Sequence, residues 1–442
     1  MKKYLIALLG CILIFLVACS DSGETNGTNS DDVSNNNNNE GQNQGADTEE
    51  VELTFTIWGN DAHTQMYEDV LAQFYEENPG IKVNIQSIPF ADYQQKLSVF
   101  AAGNELPDIG WVSEQMVPQF KENGILEDIS DFGNDEDFDL DDFIPSTLEL
   151  WTEGDKLLGL PFSTPPMIMY FNKTMFEEAG LETPLELAKK GEWTWEQMEE
   201  AAKALSKGEG ADRDYGARFF TDWTNFSTLP SHTISYGGSM FNDDITDFTW
   251  NSPQGVDTFE MLDRMMFEDK SHVPPGENVN FEGGKVGMYT GMYSYISNVR
   301  GITDFEWDIA PLPKGPEGRA PLLGMAGMVA FTGSEHPEEA KKLLKFIQSK
   351  TGIQAQSAFF VPPRRSVLES DAFMNIPNNP PKESIQIAMI DQMNEGYMYP
   401  LHEDWTKIQS EIVNGFDKLF SQVASPEEIL EEMEKNVDPL LK

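Results

Sequence analysis

The feature that most constrains the fold is a change of hydrophobic period near the start of the globular region. Apolar residues alternate with polar ones over residues 51–58, which predicts a half-buried strand. They recur at helical spacing over 66–74, and the alternation returns over 81–85. A strand, a helix and a second strand in this order predict an α/β fold, in which helices flank a sheet.

Capping signals predict further helices along the chain. Thr194 and Ser425 each lie three residues before a Gln or Glu, as in a capping box, and apolar residues follow both at helical spacing. Pro337 opens another helical pattern, which reaches Ile347. No internal repeat is visible, so the pattern predicts the α/β class and leads no further.

The N-terminus has the pattern of a bacterial export signal. Lys2 and Lys3 precede an apolar run over residues 4–18, which is short for a membrane-spanning helix and typical of a signal peptide. A Leu-Val-Ala-Cys sequence that ends at Cys19 resembles the lipobox of bacterial lipoproteins. We therefore predict a signal peptide over 1–18 and a lipidated Cys19, anchored to the outer face of the cytoplasmic membrane.

Residues 19–50 have the composition of a disordered tether. Asparagine is unbroken over 35–39, and Val33 is the one sizeable apolar side chain after Cys19. Such a segment buries too little apolar surface to offset its ordering entropy. Its root-mean-square reach is about 30 Å, which would hold a globular body clear of the membrane. No other hydrophobic run approaches the length of a spanning helix, so the lipid anchor is the one membrane contact that we expect.

Charge and cysteine content exclude several classes of function. The chain has 75 acidic and 30 basic residues, a formal net charge of −45, and this field repels nucleic acids and anionic lipid headgroups. The two cysteines, Cys11 and Cys19, both lie in the N-terminal segment, which rules out a disulfide framework and cysteine-bound zinc.

Motifs of enzymes and metal sites are missing. The sequence lacks the signatures of α/β-hydrolases, zinc proteases and P-loop nucleotide-binding proteins. Aspartates over residues 135–141 resemble a calcium loop, but Leu140 replaces the required glycine and Ser146 the bidentate glutamate. We therefore predict no enzyme activity, metal or cofactor, although the many carboxylates leave a paired-carboxylate glycosidase open.

A series of short motifs, in a fixed order, carries a family resemblance. They lie at residues 53–58, 74–83, 106–111, 159–162, 169–173, 193–196, 281–288, 309–315, 336–340 and 361–364. Together, behind a lipobox, they resemble the family 1 extracellular solute-binding proteins of ABC importers, which are maltose-binding-like, carbohydrate-binding lipoproteins. The resemblance covers nearly all of the chain after the tether.

The resemblance implies a periplasmic-binding-protein-like α/β fold, with two lobes joined by a hinge that the chain crosses three times. Lobe 1 is expected over 51–163 and 309–363, and lobe 2 over 164–308 and 364–442. A sugar or oligosaccharide would bind between the lobes of a monomer, whose closure presents it to the transmembrane permease of an ABC transporter. A non-sugar solute, such as a polyol phosphate or a peptide, and a surface glycan hydrolase are the alternatives.

The resemblance also implies which residues contact the ligand. Aromatic rings stack on the C–H faces of sugars, while polar side chains bind their hydroxyls. We expect Trp58 to stack and Asp61 and Glu114 to bind hydroxyls, because they lie in loops that match sugar-contacting loops of the family. Thr164 lies where the chain first crosses the hinge, and Tyr170 lies in the next strand. Packing in a lobe core is the alternative for Trp58 and Tyr170.

The remaining candidates lie further along the chain. Trp223 lies in a loop without strand or helix periodicity, which favours a stacking role over a core role. Tyr293 occupies a Gly-x-aromatic loop in which many family members stack a tryptophan on the sugar. Met325 and Gly327 match a glycine-rich cleft segment, where the backbone approaches the ligand. Trp405 begins a helix and either lines the cleft or packs under that helix.

Overall fold

The computed structural model describes residues 50–220, 228–393 and 395–442. Cys19, Trp223, the signal peptide and nearly all of the tether lie outside these ranges, so their assignments stay predictions. Within the described ranges, no helix is both long and apolar enough to cross a membrane.

The strands of the described ranges form two main sheets and one short hairpin. They are β1 (Val51–Ile57), β2 (Ile81–Ser87), β3 (Ile109–Ser113), β4 (Thr152–Glu153), β5 (Lys156–Leu157), β6 (Leu160–Ser163), β7 (Ile168–Asn172), β8 (Tyr215–Arg218), β9 (Val286–Gly291), β10 (Trp307–Ala310) and β11 (Ala326–Ala330). The first sheet has the order β2-β1-β3-β11-β6, with β1 parallel to β2 and β3, and β11 antiparallel to both of its neighbours. The second has the order β10-β7-β9-β8, and β4 pairs with β5.

Helices connect the strands and cover the sheets. They are α1 (Asp61–Glu77), α2 (Phe90–Gly103), α3 (Val117–Glu122), α4 (Pro145–Leu148), α5 (Lys173–Ala179), α6 (Pro184–Lys190), α7 (Trp195–Leu205), α8 (Thr228–Ser235), α9 (Pro253–Asp263), α10 (Ile296–Val299), α11 (Pro337–Ile347), α12 (Lys350–Gln356), α13 (Arg365–Leu368), α14 (Asp371–Met374), α15 (Lys382–Ala388), α16 (Trp405–Phe420) and α17 (Pro426–Val437). The predicted strand, helix and strand at the start of the body are confirmed as β1, α1 and β2.

Of the two predicted capping boxes, the one at Ser425 is complete and the one at Thr194 is formed only in part. Ser425 accepts a hydrogen bond from the backbone of Glu428, whose carboxylate accepts one from the backbone of Ser425, so the box before α17 is complete. Before α7, Thr194 accepts from the backbone of Gln197, but the side chain of Gln197 donates to Glu200 instead of returning to the cap. The position of both helices was therefore predicted correctly, and the detail of one cap was not.

Each sheet has its own core. Trp111 and Trp151, both fully buried, pack in the cluster around the first sheet. The second sheet is buried on both faces, because Met169 packs in one cluster and Tyr170, the next residue of β7, packs in another. Burial on both faces explains why β7 is apolar from Ile168 to Phe171 instead of alternating.

The chain passes between the two sheets three times, which gives two α/β lobes joined by three crossings. It leaves the first sheet after β6 and returns to it between β10 and β11. The last crossing follows α13, since Val367 packs in the first core and Phe373 in the second lobe. Lobe 1 and lobe 2 below denote the parts of the chain that pack around the first and the second sheet.

Two expected boundaries lie earlier than the points at which the chain changes sheet. Ile309 and Ala310 were expected in lobe 1, but they pair with β7 in the second sheet, so the return to lobe 1 comes later. Arg364 was expected in lobe 2, but its buried guanidinium donates to the carbonyl oxygen of Phe138 in lobe 1, at 2.9 Å. Both boundaries were set from motif order, which does not reveal the hydrogen-bonded neighbour of a segment.

Candidate functional site

Two predicted residues lie where parallel strands of the first sheet end. Trp58 follows the last residue of β1, and Glu114 follows the last residue of β3. These strands are adjacent and parallel, so their carboxyl ends meet at one edge of the sheet. Ligands of open α/β sheets bind beyond the carboxyl ends of the strands. This edge is therefore the candidate site.

Aromatic side chains form one part of this edge. The ring of Trp58 is half-buried and meets Tyr93 and Trp111 edge-on, with centroids 5.0 Å apart in both cases. The ring of Phe90, at the start of α2, lies 5.9 Å from Trp58 and is 51% exposed. Trp58 is therefore held by the core on one side, and together with Phe90 it offers an open aromatic surface, which we call the aromatic platform.

Glu114 is a buried carboxyl group at the same edge. Its side chain accepts a hydrogen bond from the backbone N–H of Met325 at 3.3 Å, and its own N–H donates to the carbonyl oxygen of Met325 at 3.2 Å. Burial, which removes the carboxyl group from water, raises the pKa of Glu114 from 4.5 to about 7. Near neutral pH the group is therefore partly protonated, so it can both donate and accept hydrogen bonds.

Two amide side chains extend the polar part of the edge. Gln94 donates from Nε2 to the hydroxyl of Ser113 at 2.9 Å and to Oε1 of Gln115 at 3.3 Å. Gln115 in turn approaches Glu114, with 3.5 Å between Nε2 and Oε1. Amide and carboxyl groups linked in this way present donors and acceptors in fixed directions, which suits recognition of a polyhydroxylated molecule.

Asp61 lies at the N-terminus of α1, between the capping residue Asn60 and the buried His63. Asp61 is exposed at the first helical position. Asn60 caps the helix, because its Oδ1 accepts from the backbone N–H groups of Ala62 at 3.1 Å and His63 at 3.3 Å. His63 is buried, and its Nδ1 accepts from the backbone N–H of Asn60 at 3.2 Å. Burial lowers the pKa of His63 to about 4, so the imidazole is neutral at physiological pH.

Thr164 lies at the first crossing, as expected. Its N–H donates to the carbonyl oxygen of Val361 at 3.3 Å, and Gly324 donates to the carbonyl oxygen of Pro165 at 2.9 Å, so the first crossing is bonded to the segment before α13 and to the second crossing. The hydroxyl of Thr164 is buried and has no hydrogen-bond partner among the residues that the structure describes. A buried hydroxyl without a partner is costly, which makes Thr164 a candidate for binding a water or a ligand group.

The structure places two predicted tyrosines in the core of lobe 2. Tyr170 is fully buried, and its hydroxyl donates towards the carbonyl oxygens of Met292 at 3.1 Å and Tyr293 at 3.2 Å. Tyr293 is also fully buried, and its hydroxyl accepts from Asn379 at 2.6 Å. Both rings are surrounded by other core residues and expose no face on which a sugar could stack. In this structure the predicted stacking role of Tyr293 is therefore wrong, and Tyr170 packs in the core, as its alternative had it.

Gly327 and Trp405 also serve packing. A Cβ atom at Gly327 would lie 2.1 Å from the ring of Trp151, so the glycine makes room for a buried tryptophan, and the approach of its backbone to a ligand stays a prediction. Trp405 is 3% exposed and packs against Tyr399 and Phe241, under its helix. Met325 is buried and reaches the edge through its backbone contacts with Glu114.

Sequence reasoning missed Phe90, Gln94 and Gln115. Phe90 gives no usable signal, since it precedes the buried Tyr93 and Leu97 of α2 by three and seven residues, which is the spacing of one helix face, and so has the pattern of a core residue. The two glutamines give none, because a polar residue near a strand end is usually a solvated one. No group of three or more His, Cys, Asp or Glu side chains in the described ranges is placed to bind a metal ion.

Comparison with known proteins identifies the family. Residues 60–354 match the sequence profile of the bacterial extracellular solute-binding proteins. The chain belongs to this family. This solute-binding protein is 26% identical over 415 residues to the arabinooligosaccharide-binding protein of Bacillus subtilis (strain 168), a match that covers 86% of this chain and 90% of that protein. It is 25% identical over 415 residues to a putative binding protein of Brucella abortus (strain 2308), with 90% and 94% covered.

Solved structures share the fold of this solute-binding protein. An ABC substrate-binding protein from Listeria monocytogenes, in complex with cycloalternan, superposes with a TM-score of 0.77 at 23% identity. The match covers 89% of this chain and 99% of that one. At this identity the likeness shows the two-lobed fold, and the expected periplasmic-binding-protein-like architecture is confirmed.

Proposed function

We propose that this solute-binding protein captures a sugar or oligosaccharide beside the aromatic platform and delivers it to the permease of an ABC transporter. One observation carries the proposal: the half-exposed Trp58 and the exposed Phe90 adjoin the linked polar groups of Gln94, Glu114 and Gln115. Stacking rings beside fixed amide and carboxyl groups suit a carbohydrate. The names of its relatives, one of which binds arabinooligosaccharides, support the same ligand class.

In this proposal the ligand lies between the lobes. Trp58, Asp61 and Glu114 contact it from lobe 1, Thr164 from the hinge and Trp223 from lobe 2. Binding makes or breaks no covalent bond. The protein acts as a monomer on the outer face of the cytoplasmic membrane, held there by the lipidated Cys19 and the tether over residues 20–50.

A titration of intrinsic tryptophan fluorescence, repeated by calorimetry, tests the ligand class. The panel contains arabino-, malto- and chitooligosaccharides, a polyol phosphate and short peptides. We expect saturable binding of one class of oligosaccharide, because the ring of Trp58 would be covered. If only the polyol phosphate or a peptide bound, the ligand class would be a non-sugar solute. Release of reducing ends from the oligosaccharides would show that the protein is a hydrolase.

A matched pair of variants on α2 tests the position of the site. Phe90→Ala removes one ring of the aromatic platform, and we expect the dissociation constant to rise about fivefold, since a stacked ring contributes on the order of 1 kcal/mol. Val99→Ala is the control, because Val99 is also an exposed apolar residue of α2, at 63%. Equal affinities of both variants and the wild type would place the ligand elsewhere.

A further inference from the structure

Side chains of the two lobes are in direct contact at one place near the aromatic platform. Asn60 follows β1 in lobe 1, whereas Ser297 and Asn298 belong to α10 in lobe 2. Nδ2 of Asn60 lies 3.5 Å from the hydroxyl of Ser297 and 3.4 Å from Oδ1 of Asn298. An amide N–H₂ group has two donors, so Asn60 can bond to both acceptors at once.

A second contact joins α10 to lobe 1. Arg300 follows α10, and its guanidinium carbon lies 5.5 Å from the centre of the Phe359 ring, a distance at which the cation and the ring attract each other. Phe359 packs against the lobe 1 core, and its ring lies 4.9 Å from that of His63. Arg300 is held in place from lobe 2, because its Nε donates to Oδ1 of Asn379 at 2.8 Å.

The direction of the Asn60 amide is fixed by the helix that it caps. Its Oδ1 is used by the N–H groups of Ala62 and His63, so Nδ2 must point away from α1, towards α10. His63 strengthens this arrangement, because its buried, neutral ring accepts from the backbone of Asn60. The donor that reaches lobe 2 is thus oriented before any contact forms, which lowers the entropic cost of making it.

We propose that Asn60, Ser297, Asn298 and Arg300 form an interlobe clasp, a set of positioning residues that hold the lobes together and slow ligand release without contacting the ligand. A contact present in the closed arrangement and lost in the open one shifts the equilibrium towards closure. It also raises the apparent affinity, because a larger fraction of the protein is competent to hold the ligand. The part that concerns the ligand rests on the proposed function.

Asn60→Asp tests the clasp without disturbing the helix. Aspartate caps a helix as well as asparagine does, so α1 should persist. The variant lacks the donor, however, and places a carboxylate opposite Oδ1 of Asn298. We expect a larger radius of gyration by small-angle X-ray scattering, and dissociation of the sugar about tenfold faster, with the association rate nearly unchanged.

A control variant and a second perturbation, made from the other lobe, test whether the effect of Asn60→Asp comes from the clasp. Asn84→Asp, the same change at an exposed position of β2, should leave both measurements at wild-type values. The double variant Ser297→Ala and Asn298→Ala removes the acceptors from the other lobe and should reproduce the effect. If both perturbations leave the radius of gyration unchanged, the clasp is refuted. If the wild type binds no sugar of the panel, the proposed function fails, and scattering alone then decides the clasp.

Discussion

Replacement of Glu114 by glutamine should stabilise the protein in a pH-dependent manner. Burial raises the pKa of this carboxyl group from 4.5 to about 7 in the folded protein, whereas the unfolded chain returns it to its ordinary value. Below pH 4.5 the group is protonated in both states and costs nothing. As the pH rises to about 7, the unfolded state gains stability from ionisation, so the folded protein loses about 3 kcal/mol relative to it.

Urea unfolding of the wild type and Glu114→Gln at pH 4, 5, 6, 7 and 8 measures this loss. Glutamine keeps the shape and cannot ionise, so the free energy of unfolding of the variant should exceed that of the wild type by an amount that grows between pH 4.5 and 7 and then levels off. Glu76→Gln, at an exposed position of α1, matches the change in net charge and should show a constant difference. A difference for Glu114→Gln that does not vary with pH would refute the buried, proton-bearing carboxyl group.

Three further predictions concern other parts of the chain. Gly327→Ala should lower the free energy of unfolding by about 3 kcal/mol, because the new methyl group would overlap Trp151, and an unchanged urea midpoint would contradict this close packing. Glu122→Gln should tighten sugar binding at pH 7 more than at pH 5, since the hydrogen bond of Glu122 to Glu403 of the other lobe raises the pKa of Glu122, and a proton is needed to keep the two carboxylates together. Cys19→Ala should release the protein into the medium or leave its precursor uncleaved, and membrane retention with normal processing would rule out lipidation there.

The fold was predictable where a local pattern determines it. Strands β1 and β2 and helix α1 follow from the change between periods of two and 3.6 residues, and the order of short motifs indicated two lobes. The lobe boundary near Ile309 was not predictable in this way, because it depends on the pairing of β10 with β7, which lies far away in the sequence.

The candidate site was predictable only in part, for a physical reason. Trp58 and Glu114 lie at strand ends, which the sequence locates well. Tyr293 and Gly327 depend on partners distant in sequence: Asn379 binds the tyrosine hydroxyl, and Trp151 fills the space at the glycine. An aromatic residue or a glycine in a loop has the same local sequence pattern in a binding site and in a core, so the sequence alone could not separate the two.

The position of β11 in the first sheet has a consequence for the order in which the protein folds. β11 lies between β3 and β6 in the sheet, and all four strands of the second sheet lie between it and those strands in the sequence. The four strands of the second sheet, by contrast, come from one continuous stretch that ends with β10, so they can pair before β11 is available. A chain emerging from its N-terminus would thus complete its second sheet before its first, although the helices α15, α16 and α17 of lobe 2 follow later. Closing the first sheet brings together strands that are far apart in the sequence, and such pairings form slowly.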